Sequence, residues 1–320
     1  MKILILRFSS IGDIILTSPI VRCVKNQIKD AEVHFATKAS FAGFVSPSPY
    51  IDQVWKLQNN QYNEFIADLK RQNFDLILDL HKNLRTKKII RDLGVESLTF
   101  DKLNIKKWIY TTAKINLLPE KHIVDRYFEG IASTGVKNDY HGLDFFIPAD
   151  TKLPFELPKK YNVFAIGGTY FTKRLPNDQI IAICKSSPIP MILIGGKEDS
   201  ENGAEIVGSI GPNVVDLIGQ LSIPQSAQII ESANMVLTHD TGMMHIAAAF
   251  HKKILSFWGN TTPELGMYPY QADPASKIFE VKGLSCRPCS KLGKSQCPKK
   301  HFNCMNLIDV DAVQKELLHQ

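Results

Sequence analysis

The feature that most restricts how this chain can fold is an alternation that occurs twice. In the first half, apolar runs of strand length ("KILILRF", "EVHFAT", "QVWKL", "FDLILDL") are separated by helical segments predicted near residues 13–28, 62–72 and 82–93. The second half restarts with "YNVFAIGG", "PMILIGG", "NVVDLIG", "NMVLTHD" and "KILSFWG", with helices predicted after Pro176, Glu198, Pro224 and Gly242. Strands that alternate with helices in this way predict parallel, helix-covered sheets, an α/β architecture. Between the two series, "IPADTKLPFELPKKY" is dense in proline and loses periodicity, as a linker does. With 320 residues, 44% of them hydrophobic, the chain can bury two such cores, and the expected domains are 1–153 and 154–320. Ligands of open parallel sheets collect beyond the carboxyl ends of the strands, so chemistry is sought in the strand-end loops and in a cleft between the halves.

No run of about 18 apolar residues occurs, and the chain enters a strand at once without a charged-then-apolar leader, which predicts a cytosolic protein. The formal charge of +6 is unevenly spread. Residues 81–126 hold eleven Lys and Arg against five acids, and residues 282–301 hold six basic residues and no acid. Such patches suit an anionic partner, a phosphorylated glycolipid or a membrane surface, or are solvated faces; the lack of an RNA- or DNA-binding motif argues against nucleic acid. Within the first patch, "KLNIKKWIYTTAKINLLPEKH" offers Trp108, Ile109 and Tyr110 for apolar contact near a bilayer, in peripheral and salt-sensitive association. The alternative is a two-sided helix packed on the first domain.

Six cysteines in a reducing compartment stay thiols. Cys23 and Cys184 fall in apolar helical patterns and are expected in the cores. Cys286, Cys289, Cys297 and Cys304, spaced C-x2-C-x7-C-x6-C, suit either a structural metal or a reduced loop held by packing.

Three strand ends in the second half carry candidate ligand groups. In "MVLTHDTGMMHIAAAF" a strand runs into His239-Asp240-Thr241-Gly242 and then a helix through His245. Unpaired N–H groups and the positive dipole end at that helix start can receive a diphosphate; an ordinary Asp/Thr cap explains Asp240 and Thr241 equally well, but not the flanking histidines. "FAIGGTYFTKRLP" gives a Gly167-Gly168-Thr169 turn with Lys173 and Arg174, cations that can neutralise a leaving diphosphate or stand exposed beside a helix start. "LIGGKEDSENG" supplies Glu198 and Asp199, ribose acceptors or helix caps. Together the loops point to a nucleotide diphosphate ligand. The motifs G-x-x-x-x-G-K-[ST], G-x-G-x-x-G after a strand, G-x-S-x-G and H-E-x-x-H are all missing, which disfavours a P-loop nucleotidase, a dinucleotide oxidoreductase, a serine hydrolase and a zinc protease. At the other end of the chain, "RFSSIGDIILTSP" sets Asp13 where a strand gives way to a helix. Taken alone, that carboxylate is either a helix cap or a general base.

The combination of "RFSSIGDIILTSP", "TKRLP", "THDTGMMHIAAA" and "FWGNTTP", in that order and spacing, resembles glycosyltransferase family 9, the lipopolysaccharide heptosyltransferases, over nearly the whole chain. The segment ending "CM" before the last helix is similar too. The resemblance implies a GT-B fold, two Rossmann-like domains facing an interdomain cleft, with the final helix (about 309–318) returning to the first domain. It implies a nucleotide-diphosphate sugar donor, usually ADP-L-glycero-D-manno-heptose, on the second domain and an anionic glycolipid acceptor of the lipopolysaccharide inner core on the first, at the cytoplasmic face of the inner membrane.

Carried over position by position, the resemblance implies Asp13 as general base, with Ser10 and Gly12 beside the acceptor. It implies Lys173 on the phosphates, Asp240, Thr241 and Gly242 on the donor, Glu198 on the ribose, Thr169 in the glycine turn, and His245 from the D-T-G-x-x-H motif. The family often has tryptophan before the proline of the lysine motif, where this chain has Leu175. A base that removes the acceptor proton as the C–O bond forms contributes about 10²–10⁴ in rate, and attack opposite the diphosphate inverts the anomeric centre in one displacement. With Lys173 and a helix dipole on the leaving group, this scheme requires neither a divalent metal nor another cofactor. Two alternatives use the same donor loops: a GT-B sugar-nucleotide epimerase, and a non-catalytic nucleotide-sugar-binding protein.

Overall fold

The computed structural model describes residues 1–318. It divides into two compact units, Met1–Lys102 with Lys121–Ala149, and Leu103–Glu120 with the chain from Asp150 onward. Five strands form the first unit's sheet: β1 (Lys2–Leu6), β2 (Glu32–Lys38), β3 (Gln53–Leu57), β4 (Leu76–Asp79) and β5 (Ser97–Thr99). They lie in the order β3-β2-β1-β4-β5, every pair parallel. β1 reads as a continuous apolar run because both of its faces are covered. Leu4 and Leu6, with Phe8 beyond them, pack with Phe65, Ile66, Leu69 and Ile89 from the helices Tyr62–Lys70 and Leu84–Leu93. The alternate residues Ile3 and Ile5 are fully buried as well. Helix Leu84–Leu93 starts on an Asn83 cap that accepts from the Thr86 N–H and stops at Gly94, whose φ of 68° is the left-handed conformation that glycine adopts without Cβ strain.

The second unit holds β6 (Asn162–Ala165), β7 (Met191–Ile194), β8 (Val214–Asp216), β9 (Met235–His239), β10 (Lys253–Trp258) and β11 (Lys277–Glu280). The order is β11-β10-β9-β6-β7-β8, again parallel. Counted from its own first strand, each sheet runs 3-2-1-4-5, with a sixth strand in the second. That is the Rossmann order, in which the chain reverses direction between the first and fourth strands. The reversal points, β1/β4 and β6/β9, are where loops part and leave room for a ligand. In the second core Phe164, Phe257 and Phe279 form a stack, with ring centroids 5.6 and 5.8 Å apart. Cys23 and Cys184 are buried as expected.

Three expectations need revision. β5 and β11 are edge strands of three and four residues, mostly exposed or half-buried, too short for an apolar run to announce them. The helix expected over 13–28 is two helices, Ile11–Ile15 and Ser18–Gln27. Pro19 lacks the N–H needed to continue the first, and the Thr17 hydroxyl caps its end by donating to the Ile14 carbonyl at 2.6 Å. Helix Asn104–Ala113 belongs to the second unit rather than the first. The final helix, Val310–Leu318, packs in the second unit: Val313 and Leu317 are buried in that core, and Gln314 donates to the Ala182 carbonyl at 3.1 Å.

Candidate active site

In the first unit the reversal point carries a held carboxylate. Asp13 lies in the first turn of helix Ile11–Ile15, and one of its oxygens, Oδ2, accepts from the Ser10 N–H (3.2 Å) and the Ser10 hydroxyl (2.8 Å). The other oxygen pairs with the Arg7 guanidinium at 2.7 Å. Cap and candidate base are thus one side chain. Arg7 ends the β1 run and is 8% exposed against 25% for Asp13, so the cation is the fixed partner and the carboxylate the reachable one. Its remaining N–H groups are anchored on the carbonyls of Ser9 (2.8 Å) and Leu80 (2.6 Å) and on the Tyr127 hydroxyl (3.3 Å). Burial opposes the Arg7 charge, but Tyr127, Asp13 and Asp79 outweigh it and hold the group cationic. Across the reversal point, just beyond β4, His81 Nδ1 accepts from the Phe8 N–H at 3.4 Å. Burial first, then the charges of Arg7 and Lys102, push the His81 pKa down to about 3, so its ring is neutral at physiological pH. Ser10 is exposed, whereas Gly12 is buried and adds no open room of its own.

In the second unit the reversal point presents the opposite charge. Lys173 Nζ donates to the Asp240 carbonyl (2.9 Å) and carboxylate (2.6 Å), and the Thr261 hydroxyl donates to the same carboxylate oxygen at 2.8 Å. An ammonium has three donors, so Asp240 fixes the lysine and leaves one N–H for a ligand. Asp240 is buried, and Thr241 and Gly242 open helix Gly242–Ala249 beside it. A Cβ added to Gly168 would stand 3.5 Å from the Thr241 methyl and 3.6 Å from Arg174 Cγ, so the glycine turn, the lysine loop and this helix start converge.

His239 ties them together. The Leu175 N–H donates to its Nε2 at 2.9 Å, so the ring proton sits on Nδ1, 3.2 Å from the Gly167 carbonyl. Burial pushes its pKa down to about 4, against the opposing pull of the Gly167 hydrogen bond. Arg174 donates to the Gly168 carbonyl at 2.7 Å and pairs with the buried Asp199 at 3.1 Å. Asp199 in turn accepts from the Gly196 N–H at 2.9 Å, close enough that a Cβ on Gly167 would come within 2.5 Å of its Oδ2. With Asp199 engaged, Glu198 is the exposed acid of this loop, and Thr169 is exposed as well. His245 is buried, facing the packed side of its helix.

The model of glycosyltransferase family 9 (heptosyltransferase) matches residues 62–301. The chain belongs to that family. Lipopolysaccharide heptosyltransferase 1 of Campylobacter coli is 22% identical over 290 residues, 82% of this chain and 84% of that one. Among solved structures, the glycosyl transferase family 9 protein of Veillonella parvula DSM 2008 superposes with a TM-score of 0.76 at 16% identity, covering 100% of this chain and 98% of its own. The E. coli heptosyltransferase WaaC, solved with ADP, superposes at 0.70 and 18%, covering 100% and 99%. The fold is GT-B, and the protein is a glycosyltransferase.

Several residues of the glycosyltransferase's strand-end loops escaped the sequence. Arg7 reads as the charged end of an apolar run, and Thr261 reaches Asp240 from 21 positions away. Thr172 locks the lysine loop by donating to Asn260 Oδ1 (3.0 Å) and accepting from the Lys294 N–H (2.8 Å). Leu175, where the family often has tryptophan, is buried in the second core. The Cys-rich segment is pinned by buried Arg287, which donates to the carbonyls of Gly259 (2.6 Å), Val281 (2.6 Å) and Thr261 (3.0 Å) and pairs with Glu280 at 3.0 Å. Among the described residues, no three His, Cys, Asp or Glu are gathered where a metal ion could sit.

Proposed function

We propose that this glycosyltransferase moves heptose from ADP-heptose to an anionic inner-core glycolipid of lipopolysaccharide, with inversion and without a divalent metal, at the cytoplasmic face of a membrane. The observation that carries the reading is the matched pair of reversal points: one presents a reachable carboxylate backed by a buried cation, the other a lysine and a helix start backed by a buried carboxylate. These are the two charges that a single displacement needs. Asp13 takes the proton of the acceptor hydroxyl; the Ser10 hydroxyl, bonded to Asp13 and exposed, marks where that alcohol enters. Lys173 and the N–H groups at the start of helix Gly242–Ala249 stabilise the departing diphosphate, the role a divalent ion would otherwise serve. Glu198 and Thr169 border the nucleoside side of the cradle. Relatives named lipopolysaccharide heptosyltransferase, and WaaC solved with ADP, support the choice of donor and acceptor.

The test is ADP release from ADP-heptose with and without inner-core glycolipid, in the presence of a chelator, with the anomeric configuration of the product read by NMR. Release that needs the glycolipid, survives chelation and yields the inverted anomer is expected. Conversion of the nucleotide sugar alone would identify an epimerase, and binding without either reaction a non-catalytic protein.

A further inference from the structure

Helix Asn104–Ala113 has no buried residue, although Ile105, Trp108 and Ile109 give it an apolar stripe. Residues of a helix advance by about 100° each, which sets Ile105, Trp108 and Thr112 on the side opposite Lys107, Tyr110 and Lys114. The second side is the docked one. Tyr110 accepts from the Thr262 hydroxyl at 3.3 Å, and Lys114, just past the helix, donates to the Pro288 carbonyl at 2.7 Å. The helix is therefore seated by its polar side with its apolar side outward, the reverse of the usual arrangement. Ile105 is 75% and Trp108 64% exposed, and Ile115 and Leu117 continue the exposed apolar surface. Single exposed apolar residues are ordinary, whereas a grouped set marks an interaction surface.

The segment's own charge has one sign, although the exposed Glu264 accepts from the Tyr110 hydroxyl at 3.5 Å on the docked side. Residues 103–118 contain Lys106, Lys107 and Lys114 and no acid. The Lys114 bond to Pro288 sets the helix end against residues 282–301, where Lys282, Lys291, Lys294, Lys299 and Lys300 are exposed and no acid occurs. A two-fold contact with a second copy would set these lysines against one another. No described helix is long and apolar enough to cross a membrane.

We propose that this surface seats the protein on a bilayer bearing anionic headgroups, with Ile105 and Trp108 entering the headgroup boundary and Lys106, with the exposed lysines of residues 282–301, meeting lipid phosphates. The proposal leans on the preceding reading only in that a glycolipid acceptor is presented at such a surface. The test is flotation of the full chain with phosphatidylcholine vesicles, with and without phosphatidylglycerol, at low and high salt. Binding only to the phosphatidylglycerol vesicles, and release by salt, are expected. The double variant Ile105→Ser with Trp108→Ser should lower the bound fraction about tenfold or more while keeping the thermal shift produced by ADP, which reports that the fold and the nucleotide loops are intact. Unchanged flotation of that variant, or failure of the unaltered protein to bind anionic vesicles at low salt, would overturn the proposal. So would a concentration-dependent dimer that the double variant abolishes, since the face would then belong to a second copy. Neither donor nor acceptor sugar is present, so failure here leaves the transferase reading standing, and failure of transfer leaves this one.

Discussion

The two reversal points have the same topology and opposite polarity. At β1/β4 a buried guanidinium, Arg7, holds a partly exposed carboxylate, Asp13; at β6/β9 a buried carboxylate, Asp240, holds a half-buried ammonium, Lys173. Each also carries a neutral histidine that accepts a backbone N–H, His81 from Phe8 and His239 from Leu175. The sheet order fixes where a site lies, while the sign of what it presents depends on which member of one ion pair is tied down: Arg7 is the more buried partner (8% against 25% exposed), whereas Lys173 and Asp240 are about equally buried (16% and 11%) and the ammonium keeps the spare donor. A desolvated charge needs several hydrogen bonds to hold it. Arg7 has three besides Asp13, and Asp240 is held by Lys173 and Thr261.

Removing the presented cation should have a large effect. Lys173→Ala is expected to lower kcat/KM about 10²–10³-fold and to weaken ADP binding by calorimetry; unchanged ADP affinity would take Lys173 out of the cradle. A smaller effect is expected from the hidden partner of the first site. Arg7→Met leaves the Leu80 carbonyl and Tyr127 hydroxyl without their donor and frees Asp13 to turn, which should cost about 2–3 kcal/mol in urea unfolding and about tenfold or more in kcat. Donor affinity should not change, and Arg7→Lys should restore part of the rate. Equal loss of ADP binding in Arg7→Met would blur the distinction between the sites.

The smallest predicted effect is one of pH. His239 has a folded pKa of about 4, below the unfolded value near 6.5. The unfolded chain therefore binds more protons between those values, and the stability this histidine contributes is full above about pH 6.5 and declines as pH falls toward 4. His81, pushed down to about 3, acts in the same direction from the first unit. His239→Gln, which can accept from Leu175 and donate to Gly167 without titrating, should flatten part of the fall in Tm between pH 7 and pH 5. An identical pH profile in variant and parent would show that the ring nitrogen is not the acid-sensitive link.

Much of this architecture was legible because parallel strands buried on both faces write themselves as unbroken apolar runs, and because glycines and prolines mark the strand ends. The loops with the candidate groups were legible for the same reason. What pairs with what was not. Arg7 reaches the Leu80 carbonyl only after β1 and β4 lie side by side, and its pairing with Asp13 across the turn that follows β1 is recorded by no apolar run. The flanking histidines of the D-T-G-x-x-H segment looked like ligand groups, whereas His239 is a neutral strut between two loops. The helix at residues 104–113 was legible in part: the sequence offered Trp108, Ile109 and Tyr110 for outward contact, whereas Tyr110 is seated on Thr262 and the helix belongs to the second unit.

The central claim is that Asp13 is the group that takes the proton and takes no part in holding the donor. Single-turnover transfer by Asp13→Asn, with ADP affinity measured on the same preparation, tests it most directly. Unchanged ADP affinity and a chemical step slowed at least about a hundredfold are expected. Transfer at close to the parental rate by that variant would contradict the claim.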